Sequence, residues 1–561
     1  MRLPYIVTLL LSFGLGCPLL IRYPFRQDEA IYSVWALHFW QDPFFLTIWP
    51  DKPPVYLGAL ALVYKAFGAS EASARWLNIS CTTLTVALVI ACARHLWGQR
   101  AALLAGLTLA LNPFAISFAA TAYTDPLLVL LGSAAIYAAL HRRSYWSGVW
   151  LGLAVMTKQQ GLFYVPLVLG MIMLSWARPH WPRRKNMLKE VLYWAGGTAT
   201  VVAPIIYWDS LRWATAPSPW DLSMRNYGGV SGAPIAQWLP RAQSWGALAW
   251  YVLASNYLWL FVTAMLIYAM LIYPGMGRVL LPATARRQMK AALWPIKKRF
   301  FKPHQTLTTL CAERSFMAIV PTTAHQMQRI KLPTRQRNSA LLFMAWLLGF
   351  IAIHLGANIQ IWDRYLLPLI PVAALLWGGY VASELRRAAP KLASVIIVTW
   401  LLLLAPPAWQ AAQGGLPIGG DHGDYAGLRP ALQWIKQEAL ADSAPTRIVL
   451  YHNVLGWHFQ YYLYTQIQNG QIDLRWFPNV FYLAQNATTA PHMRKFLITP
   501  SWAPARELAE FATMSRVQVI PRARFGKMRI VELAPLAAGY CDWCYCNGWP
   551  REIFQPISLS P

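Results

Sequence analysis

The residues best suited to chemistry fall early in the chain. Asp28 and Glu29 stand side by side in RQDEAIYS, Asp51 and Lys52 follow in PDKPPVYLGAL, and Asp125 lies in AYTDPLL. A positioned carboxylate can take the proton of a hydroxyl as its oxygen attacks. A lysine or arginine can neutralise a departing phosphate, the first as a point charge and the second as a fork. The chain has 22 Asp and Glu against 49 Lys and Arg, so the places of its acids carry information. Each acid also has a plainer reading. Thr124-Asp125-Pro126 is a natural helix start, and Asp28-Glu29 suits the opening turn of an amphipathic helix, AIYSVWALHFW. Capping accounts for each acid singly. It does not account for their gathering on one face of a membrane beside Lys52 and many aromatics, and polar residues at such depth are functional candidates.

The membrane follows from composition. Of 561 residues, 57% are hydrophobic and 13% charged, where a soluble chain carries about 25% charged. Many apolar blocks approach the roughly 20 residues that cross a bilayer as helix, and in lipid a helix satisfies its own backbone. The first, about Leu3 to Ile21, follows Arg2 but has no small-x-small cleavage pattern and reads as a retained helix. The others run from about Ala74 to Ala93, Ala101 to Phe118, Asp125 to Leu140, Tyr145 to Met156, Leu162 to Trp176, Leu192 to Trp208, Leu248 to Tyr273, Ala340 to Leu355, Tyr365 to Val381 and Leu392 to Ala408. Roughly eleven spans result.

The net charge of +27 sits mainly in short connections. Arg94 and Arg100, then Arg142 and Arg143, then Arg178 to Lys189, then the 276–338 stretch with thirteen Lys or Arg and one acid, and last Arg386, Arg387 and Lys391, all fall on one side if spans alternate. That side is cytoplasmic. The N-terminus is then inside and the C-terminus outside, in a cell or inner membrane. Charge spread over connections also argues against nucleic acid, which asks for one basic face. The basic 276–338 loop reads as a topology-setting connection, with contact to anionic lipid headgroups as the other reading.

From about residue 409 the character changes. Strand-like runs RIVLYHN, KFLITP, RVQVIP and KMRIVEL appear, and YAGLRPALQWIKQEAL has helical spacing. The expected fold is mainly α: a polytopic membrane helical bundle over 1–408, with its acids in an outer loop at 23–73, and a small outward-facing α/β domain over 409–561.

These motifs, in this order, resemble the GT-C membrane glycosyltransferases, in the branch of the protein O-mannosyltransferases and lipid A aminoarabinose transferases. The resemblance is carried by Asp28-Glu29 early in the first outer loop, Asp51-Lys52-Pro53-Pro54 after it, and Asp125 in the second outer loop. Thr157-Lys158-Gln159-Gln160-Gly161 on a short helical pair and Arg364-Tyr365-Leu366-Leu367-Pro368 opening a late helix complete it. It spans most of Met1 to Pro407. It implies a hexosyl- or pentosyl-transferring enzyme that moves a sugar from a polyprenyl-phosphate donor to an acceptor hydroxyl on a lipid, glycan or protein, with inversion, among membrane lipids. It nominates Asp28 as general base, with Glu29 and Asp125 as further catalytic acids. Lys52, Arg364 and Lys158 are implied to hold the donor phosphate, and Asp51, Tyr32, Tyr56 and Tyr365 to touch substrate. Asp51 takes the place of an acid associated with a divalent metal in the aminoarabinose transferases; a single carboxylate is little for a metal site.

A transporter or flippase of a lipid or small solute is the alternative. It would favour inverted repeats and charges at mid-span, whereas the two halves show no repeat and the acids lie in outer loops. Three other features stay apart from the site. Cys541, Cys544 and Cys546 are odd in number and lack a fourth zinc ligand, so they read as structural. His452 and His458 read as packing or hydrogen-bonding residues. The stretch DLSMRNYGGVSG, with Asp221, Arg225, Asn226 and Tyr227, reads equally as a lid or a plain connection.

Overall fold

The computed structural model describes residues 3–176, 183–227, 231–252, 334–385, 390–419, 423–439, 447–489, 493–503 and 517–535. Most of the basic 276–338 stretch, residues 253–273 of the expected Leu248–Tyr273 span and the three late cysteines lie outside them.

The first helix is α1 (Leu3–Gly16). The segment after it, expected as the first outer loop, is itself built of two helices, α2 (Gln27–His38) and α3 (Pro54–Phe67), the second opened by Pro54, whose missing N–H costs nothing in a first turn. Then come α4 (Glu71–Trp97), α5 (Gln99–Ala110), α6 (Pro113–Ala119), α7 (Asp125–Leu140), α8 (Ser144–Thr157) and α9 (Val165–Trp176). They are followed by α10 (Arg183–Arg212), α11 (Pro219–Tyr227), α12 (Ile235–Val252), α13 (Thr334–Gly356), α14 (Leu369–Leu385) and α15 (Pro390–Ala412).

By length and apolar content, α4, α10 and α13 each contain a stretch that can cross a bilayer, as does 159–176 around α9. The expected single span from Ala101 to Phe118 is a broken one. Helices α5 and α6 meet at a 58° bend, because Pro113 cannot donate back into a helix and Asn112 instead caps the N–H groups of Phe114 and Ala115 at 3.0 and 3.1 Å. Five further apolar helices, including α3 and α7, are shorter than a full crossing. The chain is a multi-pass helical membrane protein, and the expected figure of eleven spans is not fixed by these lengths.

The bundle is tightly crossed. A Cβ placed on Gly148 of α8 would sit 2.0 Å from Trp194 O of α10, and one on Gly197 of α10 would sit 2.0 Å from Tyr145 O. Small residues at such a crossing let backbones meet, as membrane helices require.

The C-terminal part is a five-stranded mixed sheet in the order β2-β1-β3-β5-β4, made of β1 (Ile448–His452), β2 (Ile472–Trp476), β3 (Lys495–Pro500), β4 (Val517–Phe525) and β5 (Met528–Pro535). β1 lies parallel to β2 and β3, while β5 runs antiparallel to both β3 and β4. Alternate residues of β1 serve opposite faces, as pleating dictates. Ile448 and Leu450 enter a core with α16 (Leu428–Trp434) and α17 (Gly456–Tyr462), and Val449 and Tyr451 enter the other. The four expected strands form; IDLRW is a fifth that alternation of hydrophobic and charged residues left unmarked.

Candidate active site

Four acids and four cations meet where α2, the loops before α3 and α7, the end of α8 and the start of α14 come together. Asp28, in the first turn of α2, pairs with Nη1 of Arg364. Arg364 sits in a 3₁₀ turn (Asp363–Leu366) before α14. Asp363 shapes that turn by accepting from Arg364 N at 2.8 Å and from Gly419 N at 2.8 Å. The Arg364 side chain is 6% exposed and that of Asp28 33%. Arg364 lies over the rings of Tyr123 and Trp362, and its Nε is buried with no hydrogen-bond partner among the described residues. A buried fork with an unused nitrogen is built to take a further anion.

Lys158 ends α8 in extended backbone, so its side chain leaves the helix and reaches Oδ1 of Asp125 at 2.6 Å, over the ring of Tyr365. The 3₁₀ turn that follows needs Gly161, where a Cβ would lie 2.5 Å from Val155 N. Asp125 therefore does not act as a helix cap: Thr124 holds the cap position without capping a backbone N–H and instead donates to Asp125 Oδ2 at 3.4 Å, and Asp125 binds the lysine. Lys52 pairs with Asp51 Oδ1 at 2.8 Å and donates to Tyr227 Oη at 3.1 Å. Asn226 donates to Asp51 Oδ2 at 3.3 Å. Burial opposes the charge on Asp51, yet Lys52, Tyr227 and Asn226 together hold its carboxyl below the usual range. Burial also draws Lys52 below the usual lysine range against the pull of Asp51. Arg364 feels Asp28 and Asp125 electrostatically, and Lys52 feels Arg364 and Asp28, so the three pairs lie close enough to act as one charged cluster.

Glu29 is different in kind. It is 0% exposed, and its oxygens accept from Arg75 Nε and Nη2 at 3.1 and 3.0 Å, from Ala122 N at 2.8 Å and from Arg26 N at 2.9 Å. A carboxylate so occupied holds loops together and leaves no oxygen for a substrate proton, which corrects the expectation of a second catalytic acid beside Asp28. The metal expectation at Asp51 also finds no fit. Its oxygens are taken by an ammonium and an amide, and no group of three His, Cys, Asp or Glu gathers among the described residues. Tyr32 and Tyr56 are buried, their rings 6.1 Å apart, and Tyr365 is buried beneath Lys158.

Several organising residues went unmarked in the sequence. Arg75 and Asn78 lie inside the apolar α4. Asn78 donates to Thr121 O at 2.6 Å and Tyr123 O at 2.7 Å and so fixes the loop that delivers Asp125. Their signal was polarity within a span, which alone marks function. Asn226 and Tyr227 belong to α11, a helix rather than a loop, and Gln159 ties its start to the site by donating to Asp51 O and Pro219 O.

Residues 51–208 match the family model described as dolichyl-phosphate-mannose-protein mannosyltransferase. The fold matches the crystal structure of ArnT from Cupriavidus metallidurans bound to undecaprenyl phosphate, with a TM-score of 0.57 and 15% identity over 96% of this chain and 98% of that one. It matches apo ArnT from the same organism with a TM-score of 0.56 and 15% identity over 94% and 97%. A sequence comparison with the curated proteins matches none of them. The chain therefore has the fold of ArnT, and its residues 51–208 resemble the dolichyl-phosphate-mannose-protein mannosyltransferases.

Proposed function

We propose that the protein transfers a sugar from a polyprenyl-phosphate-linked donor to an acceptor hydroxyl at the outer membrane face, with inversion, and that Asp28 is the general base. The observation that carries this reading is the pairing of Asp28, the most exposed acid of the cleft's three ion pairs, with a buried arginine that has a nitrogen to spare.

The donor phosphodiester binds Arg364, with Lys52 and Lys158 completing the cationic wall. Phosphate competes with Asp28 for the guanidinium, and an Asp28 released from that pair is a better proton acceptor. Donor binding thus prepares the base. The acceptor hydroxyl then gives its proton to Asp28 as its oxygen bonds to the anomeric carbon. The bond from that carbon to the phosphate oxygen breaks on the opposite face, and the polyprenyl phosphate leaves with one more negative charge, which the three cations stabilise more strongly than the ground state. Asp125 holds Lys158 toward the phosphate, and Asp51 holds Lys52. The reading places the soluble domain outside and the N-terminus inside, in keeping with the basic connections.

The test is transfer of labelled sugar from a polyprenyl-phosphate donor pool into membrane products, comparing wild type with Asp28→Asn at equal expression. Loss of transfer with donor binding retained is expected. Undiminished transfer by the variant would remove Asp28 as the base.

A further inference from the structure

The C-terminal domain holds both backbone polar groups of one residue in the segment that carries Asp28. Phe25, three positions before Asp28, is 0% exposed. Its N–H donates to Tyr462 Oη at 2.9 Å, and its carbonyl accepts from His458 Nε2 at 2.9 Å. Both backbone polar groups of one first-loop residue are thus taken by side chains of α17, more than 430 positions away in sequence. The Phe25 ring packs 4.8 Å from that of Tyr461. Tyr462 in turn donates to Glu71 at the start of α4, and Glu71 is paired with Arg429 of α16, which donates to Tyr23 O at 2.8 Å. Farther along α2, Trp35 meets Trp457 edge-on at 6.1 Å, and Tyr464 donates to Gln41 at 2.7 Å.

A carbonyl only accepts, so Nε2 of His458 carries the proton and the ring is a fixed donor. His458 is 0% exposed and lies against the Tyr425 ring. Placing a catalytic group within a fraction of an ångström requires neighbours that are themselves locked. Glu29 locks α2 from the bundle side; Phe25 locks it from the domain side.

Resting on the function proposed above, we infer that His458 and Tyr462 are positioning residues, and that the C-terminal domain acts in transfer by setting the place of Asp28 through the backbone of Phe25. The domain is a brace on the catalytic loop, whatever else it binds.

The experiment uses the full chain in lipid vesicles with His458→Leu, Tyr462→Phe and His458→Gln, the last keeping a side-chain N–H donor. Turnover per folded molecule and donor KM are measured with a polyprenyl-phosphate sugar, and amide hydrogen exchange is followed over residues 22–33. His458→Leu and Tyr462→Phe should lower kcat by up to about a hundredfold, the scale of a misplaced catalytic group. Donor KM should hold, residues 22–33 should exchange faster, and His458→Gln should recover most of the loss. Wild-type kcat in the folded variants, or a fall in yield alone, overturns the brace. If the wild type transfers no sugar, the proposed function fails instead, and hydrogen exchange decides the brace by itself: unchanged protection of 22–33 in both variants overturns it.

Discussion

At the scale of single residues, each cation of the cleft is held by its own carboxylate, but the three pairs are not alike. Lys52 and Lys158 are buried against buried acids, whereas Arg364 faces a partly exposed one. The arginine is the group that a substrate can recruit. Arg364→Lys keeps the charge and removes the fork, and a bidentate site does not tolerate that exchange. It should lower kcat/KM for the donor by about tenfold or more, the worth of one hydrogen bond to a charged group. Steady-state transfer at varied donor concentration checks it. Glu29→Gln tests the opposite kind of acid. Its loss leaves Arg75 buried without its counter-charge, which costs about 3–5 kcal/mol. The expected result is a lower unfolding temperature and poor yield, with turnover of the surviving folded protein reduced far less than in Asp28→Asn.

At the scale of elements, the site depends on helices that stop where a side chain must turn. Lys158 reaches Asp125 because α8 ends in extended backbone at that residue, and α8 is itself seated against α10 by Gly148 and Gly197. Gly148→Val would push α10 away or displace α8. Overpacking of this kind costs about 1–3 kcal/mol, and here it should also shift Lys158. Reduced thermal stability together with weaker donor binding is expected, while the same change at Gly196, where a Cβ meets nothing within 4 Å, should leave donor binding intact. A comparison of the two variants by thermal unfolding and donor titration separates these outcomes.

At the scale of the whole molecule, the C-terminal part carries two buried histidines that must stay neutral, and one of them, His458, joins it to the helical bundle through Phe25. Burial holds His458 down to about 4, and His452 likewise to about 4, from an ordinary value of 6.5. An unfolded chain takes up these protons near pH 6.5, while the folded one refuses them until about pH 4. The stabilisation is therefore complete above about pH 6.5 and is lost as pH falls toward 4. The unfolding temperature of the full chain should drop between about pH 7 and pH 5, and His458→Gln should flatten that drop. An equal drop in the variant would show that His458 does not carry it.

The sequence by itself determined what depends on composition and order along the chain. Long apolar blocks had to become helices, since lipid offers the backbone no other partner. Asp28, Asp51 with Lys52, Asp125, Lys158 and Arg364 stood out because charge is expensive in such a chain. The four strand-like runs of the tail declared themselves by apolar, β-branched content. Only the tertiary structure decided which acids a substrate can reach and which is wholly enclosed. Asp28 and Glu29 are neighbours in sequence, yet successive helical positions point about 100° apart. One side chain meets the cleft and the other meets Arg75, Ala122 and Arg26. The same holds for Phe25 with His458 and for Lys52 with Tyr227. Their partners lie 433 and 175 positions away, and no local pattern encodes a contact that exists only once the chain has closed on itself.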